Sequence, residues 1–172
     1  MPKNTQNTKN TQNTKNTKKR VSRLSNTRKN LNLNSLGISN KQILSKFEKE
    51  ITVYFFEMLL LIKLFHWKTY SYATHKATDD LYSKFNEHMD KFIEVLLGKT
   101  GIRIDLLNKK QINLYDLNNK EQLIKKINEF KSYLINLNKN RAMTLMSNVD
   151  LLTIRDEILA DMNQFLYLLS FK

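Results

Sequence analysis

Four residues with metal-binding side chains, His75, Asp79, Asp90 and Glu94, follow one another at intervals of four, eleven and four. On a helix turning about 100° per residue they fall at about 0°, 40°, 60° and 100°, on one polar stripe. Imidazole nitrogens and carboxylate oxygens with positions left open suit ferrous iron or zinc better than magnesium or calcium. Taken alone, the stripe reads more plainly as a solvated acidic face. His66, nine residues before His75, shifts that weighing, because a short link between two helices would bring both imidazoles together. Distance sets a limit: at ~1.5 Å of rise per residue, Asp90 and Glu94 lie roughly 22 to 28 Å along the helix from His75. They cannot share its ion within one chain. A two-fold axis pairing antiparallel copies of this helix would instead bring His66 and His75 of one copy toward Asp90 and Glu94 of the other, twice per dimer.

The elements that would position these residues are helices. The chain has 172 residues with only three Gly and one Pro, so it lacks the punctuation that short strands and hairpins need. A first helix is predicted from Ser39 or Asn40 through Phe47, Ile51, Phe55, Met58, Ile62 and Phe65 at helical spacing. Its second half is apolar nearly all round, which implies burial against a core and against a partner subunit. Glu57 and Lys63 interrupt that run, and it falls short of the roughly 20 apolar residues that a membrane span takes. A second helix is predicted from about Tyr72 to Leu97, ended by Gly98 or Gly101. A loop containing one helical turn would cover Ile102 to Asp116. A third helix runs from about Asn119 to Leu137, and a fourth starts near Ser147, Asn148 or Asp150 and passes through Leu169. Four helices of roughly two dozen residues with one long connection make an all-α four-helix bundle over residues 39–172.

At the histidines and carboxylates the chain resembles the ferritin-like family of the DNA-binding protein from starved cells, Dps. The family pattern of His-Trp, then His, Asp, Asp and Glu reads here as His66-Trp67, His75, Asp79, Asp90 and Glu94, in register from His75 onward. The stretch from Asp150 to Leu169 is similar to the family's last helix, so the resemblance covers about residues 42 to 170. The link from His66 to His75 is shorter than the family's by nearly one helical turn. The chain is also similar to uncharacterised ferritin-like proteins of large DNA viruses, and its Asn, Lys and Ile richness fits an AT-rich genome. The resemblance implies a ferritin-like fold, a two-fold dimer within a dodecameric shell, and sites between subunits that oxidise ferrous iron and limit oxidative stress. It implies His66 and His75 as ligands from one subunit, Asp90 and Glu94 from its mate, and Asp79 as a secondary ligand. Trp67 would quench radicals there, although packing is its more ordinary role. The Glu-x-x-His pairs of ordinary ferritin di-iron sites are absent.

Charge separates the rest of the chain. The net charge is +13, the first acidic residue is Glu48, and eleven Lys and Arg precede it, so only +2 belongs to residues 48 to 172. Residues 1 to 38 begin with Asn-Thr-Gln-Asn-Thr-Lys repeats and hold too few apolar side chains to offset the entropy of ordering, which reads as a disordered tail. Lys9, Lys15, Lys18, Lys19, Arg20, Arg23, Arg28 and Lys29 could neutralise DNA phosphates without regard to sequence. A solubilising repeat tail is the alternative. With no cysteine there is no disulfide framework or thiolate site, and no apolar signal segment is visible. A cytoplasmic or virion protein, not a secreted one, is the expectation. A ferritin-like structural or DNA-packaging protein without metal turnover is the second reading.

Overall fold

The computed structural model describes residues 39–171. Among them there is no strand, and four long helices carry the fold: α1 (Asn40–Lys68), α2 (Tyr72–Thr100), α3 (Lys120–Asn136) and α5 (Val149–Leu169), with a single turn, α4 (Arg141–Thr144), before the last. The predicted tail and its eight cationic residues, Lys9 to Lys29, lie outside the described residues. No described helix is long and apolar enough to cross a membrane.

Local chemistry sets the helix ends. The Ser71 hydroxyl accepts from the Thr74 amide at 3.3 Å and starts α2. Gly101, at φ 66°, ends it by offering its amide to the Leu97 carbonyl, a left-handed position that favours glycine. Gly98 lies inside the helix and does not end it. Asn119 caps α3 through Oδ1 and the Gln122 amide at 2.9 Å. The Asn148 side chain does not cap α5 but turns its amide back to the Met143 carbonyl, while Asp150 Oδ1 accepts from the Leu151 amide in the first turn at 2.9 Å. The helical turn expected between Ile102 and Asp116 is reduced to a turn closed by the Lys109 amide on the Leu106 carbonyl. The third helix has 17 residues, because a 3₁₀ turn (Leu137–Lys139) and α4 follow it. Ala142 and Met143 seal this end of the core, and Arg155 reaches across from α5 to the Leu134 carbonyl and Asn138 Oδ1.

Side-chain pairs give the order of the helices. His66 meets His75 and Phe55 meets Phe85 and Phe92, so α1 and α2 are antiparallel. Lys84 with Gln164 and Lys99 with Asp150 set α2 antiparallel to α5. Lys120 on the Leu169 carbonyl and Arg155 on Leu134 do the same for α3 and α5. Tyr54 closes the ring against Phe130 and Tyr133. The cyclic order is thus α1, α2, α5, α3, and the connection from Gly101 to Asn119 must run the length of the bundle. It lies along α1, tied by Lys49 to Asp105, by Asn113 to Glu57, and by Lys68 to Asp116.

The core is aromatic at its centre, where Phe55, Phe85, Phe92 and Phe130 are fully buried and Phe55 packs edge-on to Phe85 and Phe92. Burying each such ring is worth roughly 1.5–3 kcal/mol. The all-round apolar half of α1 is not all inside: Phe56, Leu60 and Trp67 remain exposed in a single copy.

Candidate metal centre

The three-residue link Thr69–Ser71 folds α2 back so that His66, near the end of α1, and His75, near the start of α2, stand at one height. Their rings stack at 3.8 Å between centroids and 24° between planes. Each grips the other's backbone: His66 Nδ1 lies 3.0 Å from the His75 carbonyl oxygen, and His75 Nδ1 lies 3.1 Å from that of His66. A carbonyl oxygen only accepts, so each Nδ1 carries the proton and donates. In the neutral rings this leaves each Nε2 with its lone pair, the tautomer that metal ligation uses. The link's shortness therefore brings the two histidines together.

Thr78 completes the grip. Its hydroxyl donates back to the Thr74 and His75 carbonyls at 2.8 and 3.0 Å, and its oxygen lies 3.3 Å from His66 Nδ1, where it can accept. Spacing alone did not reveal Thr78, because a threonine one turn from a histidine is ordinary. His66 is 7% exposed, and its Nε2 lies 3.9 Å from the carboxylate of exposed Asp79. Two atoms ligating one ion at about 2.1 Å stand roughly 3–4 Å apart, so His66 Nε2 and Asp79 are spaced to share an ion.

Asp90 and Glu94 are exposed further along α2 and make no ion pair among the described residues. Within one copy, no three His, Asp or Glu among the described residues converge closely enough to hold an ion. The donor types, imidazole and carboxylate, fit iron or zinc in chemistry. Trp67, for which packing was the more ordinary of two expected roles, is 69% exposed, with Lys63 Nζ 5.8 Å from its ring and 4.4 Å from that of Tyr82. The third histidine, His88, is elsewhere, between Asp161 at 3.0 Å and Glu157 at 3.5 Å on α5.

Two further charged residues escaped the sequence reading. Glu57, which looked like an interruption of an apolar run, is 5% exposed and fastens the long connection. Arg155 is 6% exposed and caps the carboxyl end of α3. Neither signal is in the spacing, because both partners lie in other elements.

No curated protein and no solved structure matches the chain. The profile of a family of unknown function, DUF5856, matches residues 66–169, which span both paired histidines, Asp79, Asp90 and Glu94. With more than half of its length matched, the chain belongs to that family.

Proposed function

We propose that the chain is a Dps-like, ferritin-like bundle that binds and oxidises ferrous iron between subunits and uses its basic N-terminal segment to bind DNA without sequence preference. The observation that carries this reading is the reciprocal histidine pair, whose Nδ1 atoms are spent on backbone carbonyls while Nε2 of His66 faces Asp79. The order α1, α2, α5, α3 with one bundle-length crossover supports the ferritin-like part. The apolar residues left exposed on α1, Phe56, Leu60 and Trp67, support burial against a second copy.

In this reading His66, His75 and Asp79 of one copy and Asp90 and Glu94 of the other hold the ferrous substrate. Peroxide or dioxygen from solution takes the electrons: two ferrous ions reduce one peroxide, with two protons, to two waters. The carboxylates favour the ferric product, whose extra charge they stabilise more than that of the ferrous ion. The test is ferric absorbance after ferrous iron and peroxide are added to the full-length chain, with metal binding followed by calorimetry. Oxidation no faster than in buffer, with no metal bound, sinks the reading. A structural or DNA-packaging role without turnover is the second reading, favoured by the lack of a complete ligand set within one copy.

A further inference from the structure

A second chemical feature lies away from the histidines. Between α1, the crossover and α3 is an open cavity of about 510 Å³ whose wall includes Tyr54, Glu57 and Tyr133 and also two lysines, Lys49 and Lys109, which Glu50, Glu57 and Asp105 outnumber; its size is within the range of small-molecule sites. Glu57 Oε1 accepts from the Asn113 amide at 3.2 Å and from its side-chain nitrogen at 2.7 Å, while Oε2 meets only the Tyr115 hydroxyl at 3.4 Å. All three donors are neutral. Among the described residues no cation lies within ion-pair distance of Glu57, whereas the carboxylates at the rim each have one: Glu50 with Lys46 at 3.6 Å and Asp105 with Lys49 at 3.8 Å. A buried carboxylate normally finds a cation, because neutral donors only partly replace its lost hydration.

The aromatic part of the wall suits a cation that carries a carbon chain. The rings of Tyr54 and Tyr133 lean on each other at 3.8 Å between centroids and give that side of the cavity aromatic surface. Next to them, Lys126 Nζ already sits 3.8 Å from the centre of the Tyr115 ring. Burial first, then Tyr115, Glu129 and Glu57, pushes the Tyr54 hydroxyl up to about 12. A hard divalent ion would want several oxygen ligands, and the rim carboxylates are already paired.

We propose that this cavity binds a small organic cation, a primary amine or diamine, whose ammonium group pairs with Glu57 and whose carbon chain lies against Tyr54 and Tyr133. The net charge of +13 repels such a ligand at long range, so any binding must come from this local arrangement. The test is calorimetric titration of the full-length chain with 1,4-diaminobutane and 1-butylamine, with neutral 1,4-butanediol as the matched control. Saturable one-to-one binding of the amines and none of the diol is expected. Glu57→Gln, which keeps an acceptor for Asn113, should weaken amine binding by at least about tenfold. Tyr133→Leu should weaken it severalfold through loss of the ring face, and Glu121→Gln on the exposed start of α3 should leave it unchanged. No saturable heat with either amine, equal heat with the diol, or full affinity in Tyr133→Leu overturns the proposal. Full affinity in a folded Glu57→Gln overturns it too.

Discussion

His66 and His75 hold each other through main chain and ring at once, so each is both a candidate ligand and the anchor of the other. Thr78 is their shared support, and a Thr78→Val variant tests it without touching a ligand. It should unfold in urea with a loss of about 1 kcal/mol, and its metal affinity should fall by about tenfold. Asp90→Asn should leave urea stability within about 0.5 kcal/mol of the parent, since the residue is exposed and makes no ion pair among the described residues. Its ferrous oxidation rate, read as ferric absorbance, should drop by at least about tenfold. Tyr54 gives a pH dependence with a definite sign. Its folded pKa, raised to about 12 from the ordinary 10.0, means that between those values the unfolded chain has lost a proton that the folded one keeps. Tyr54's contribution to stability should fall as pH rises through that window, and Tyr133, whose hydroxyl burial also raises, adds a fall of the same sign that continues above it. Tyr54→Phe should lessen the fall without abolishing it, as followed by thermal melts in a pH series.

At the scale of the element, hydrophobic spacing carried most of the fold. Phe47 to Phe65, Leu81 to Leu96 and Leu123 to Leu134 announce three helices because the apolar residues of their inward stripes, all buried except half-buried Met89, recur every three or four positions. Ser71 and Asn119 cap where polar residues precede those runs, and Gly101 was one of two glycines marked for the end of α2. The end of the third helix was legible, read at Leu137 against Asn136 in the structure, but the 3₁₀ turn and the helical turn that fill Leu137–Thr144 were not. Leu134, Leu137, Ala142 and Met143 all point inward, and only the Asn140 cap on the Ala142 amide separates one helical turn from the next. For the histidine pair, the sequence announced proximity and not orientation. Which nitrogen faces the carbonyl depends on how tightly Thr69–Ser71 turns, and spacing does not encode that. Phe55 is the element-scale lever, since it touches Phe85 and Phe92 at once. Phe55→Ala should cost about 3–5 kcal/mol in urea or guanidinium unfolding.

For the whole molecule, the proposed chemistry stands or falls with assembly. Phe56 and Leu60 are exposed apolar residues of α1 outside the proposed ligand set, and charging them tests assembly. A Phe56→Glu, Leu60→Glu double variant should run as a monomer in light scattering and lose iron oxidation with every histidine intact. A variant that stays fully assembled and active would rule out this face as the interface. The N-terminal segment has its own readout. Removing residues 1–38 should abolish the gel shift of duplex DNA, and in the full chain that shift should weaken steeply with salt.

The crossover that runs along α1 also makes the bundle severable. Residues 107–114 are exposed without interruption, and the hydrogen bonds that fasten them include those from Asn113 to Glu57, from the Leu107 amide to Asp105 and from the Lys109 amide to the Leu106 carbonyl. Lys109 and Lys110 lie in this stretch, where a protease needs only local opening. A single tryptic nick there would leave a fragment bearing α1 and α2 and another bearing α3 to α5, each carrying half of one shared core. The two should copurify as a clipped but folded pair, which makes this the natural place to split the chain and reassemble it from separately expressed halves.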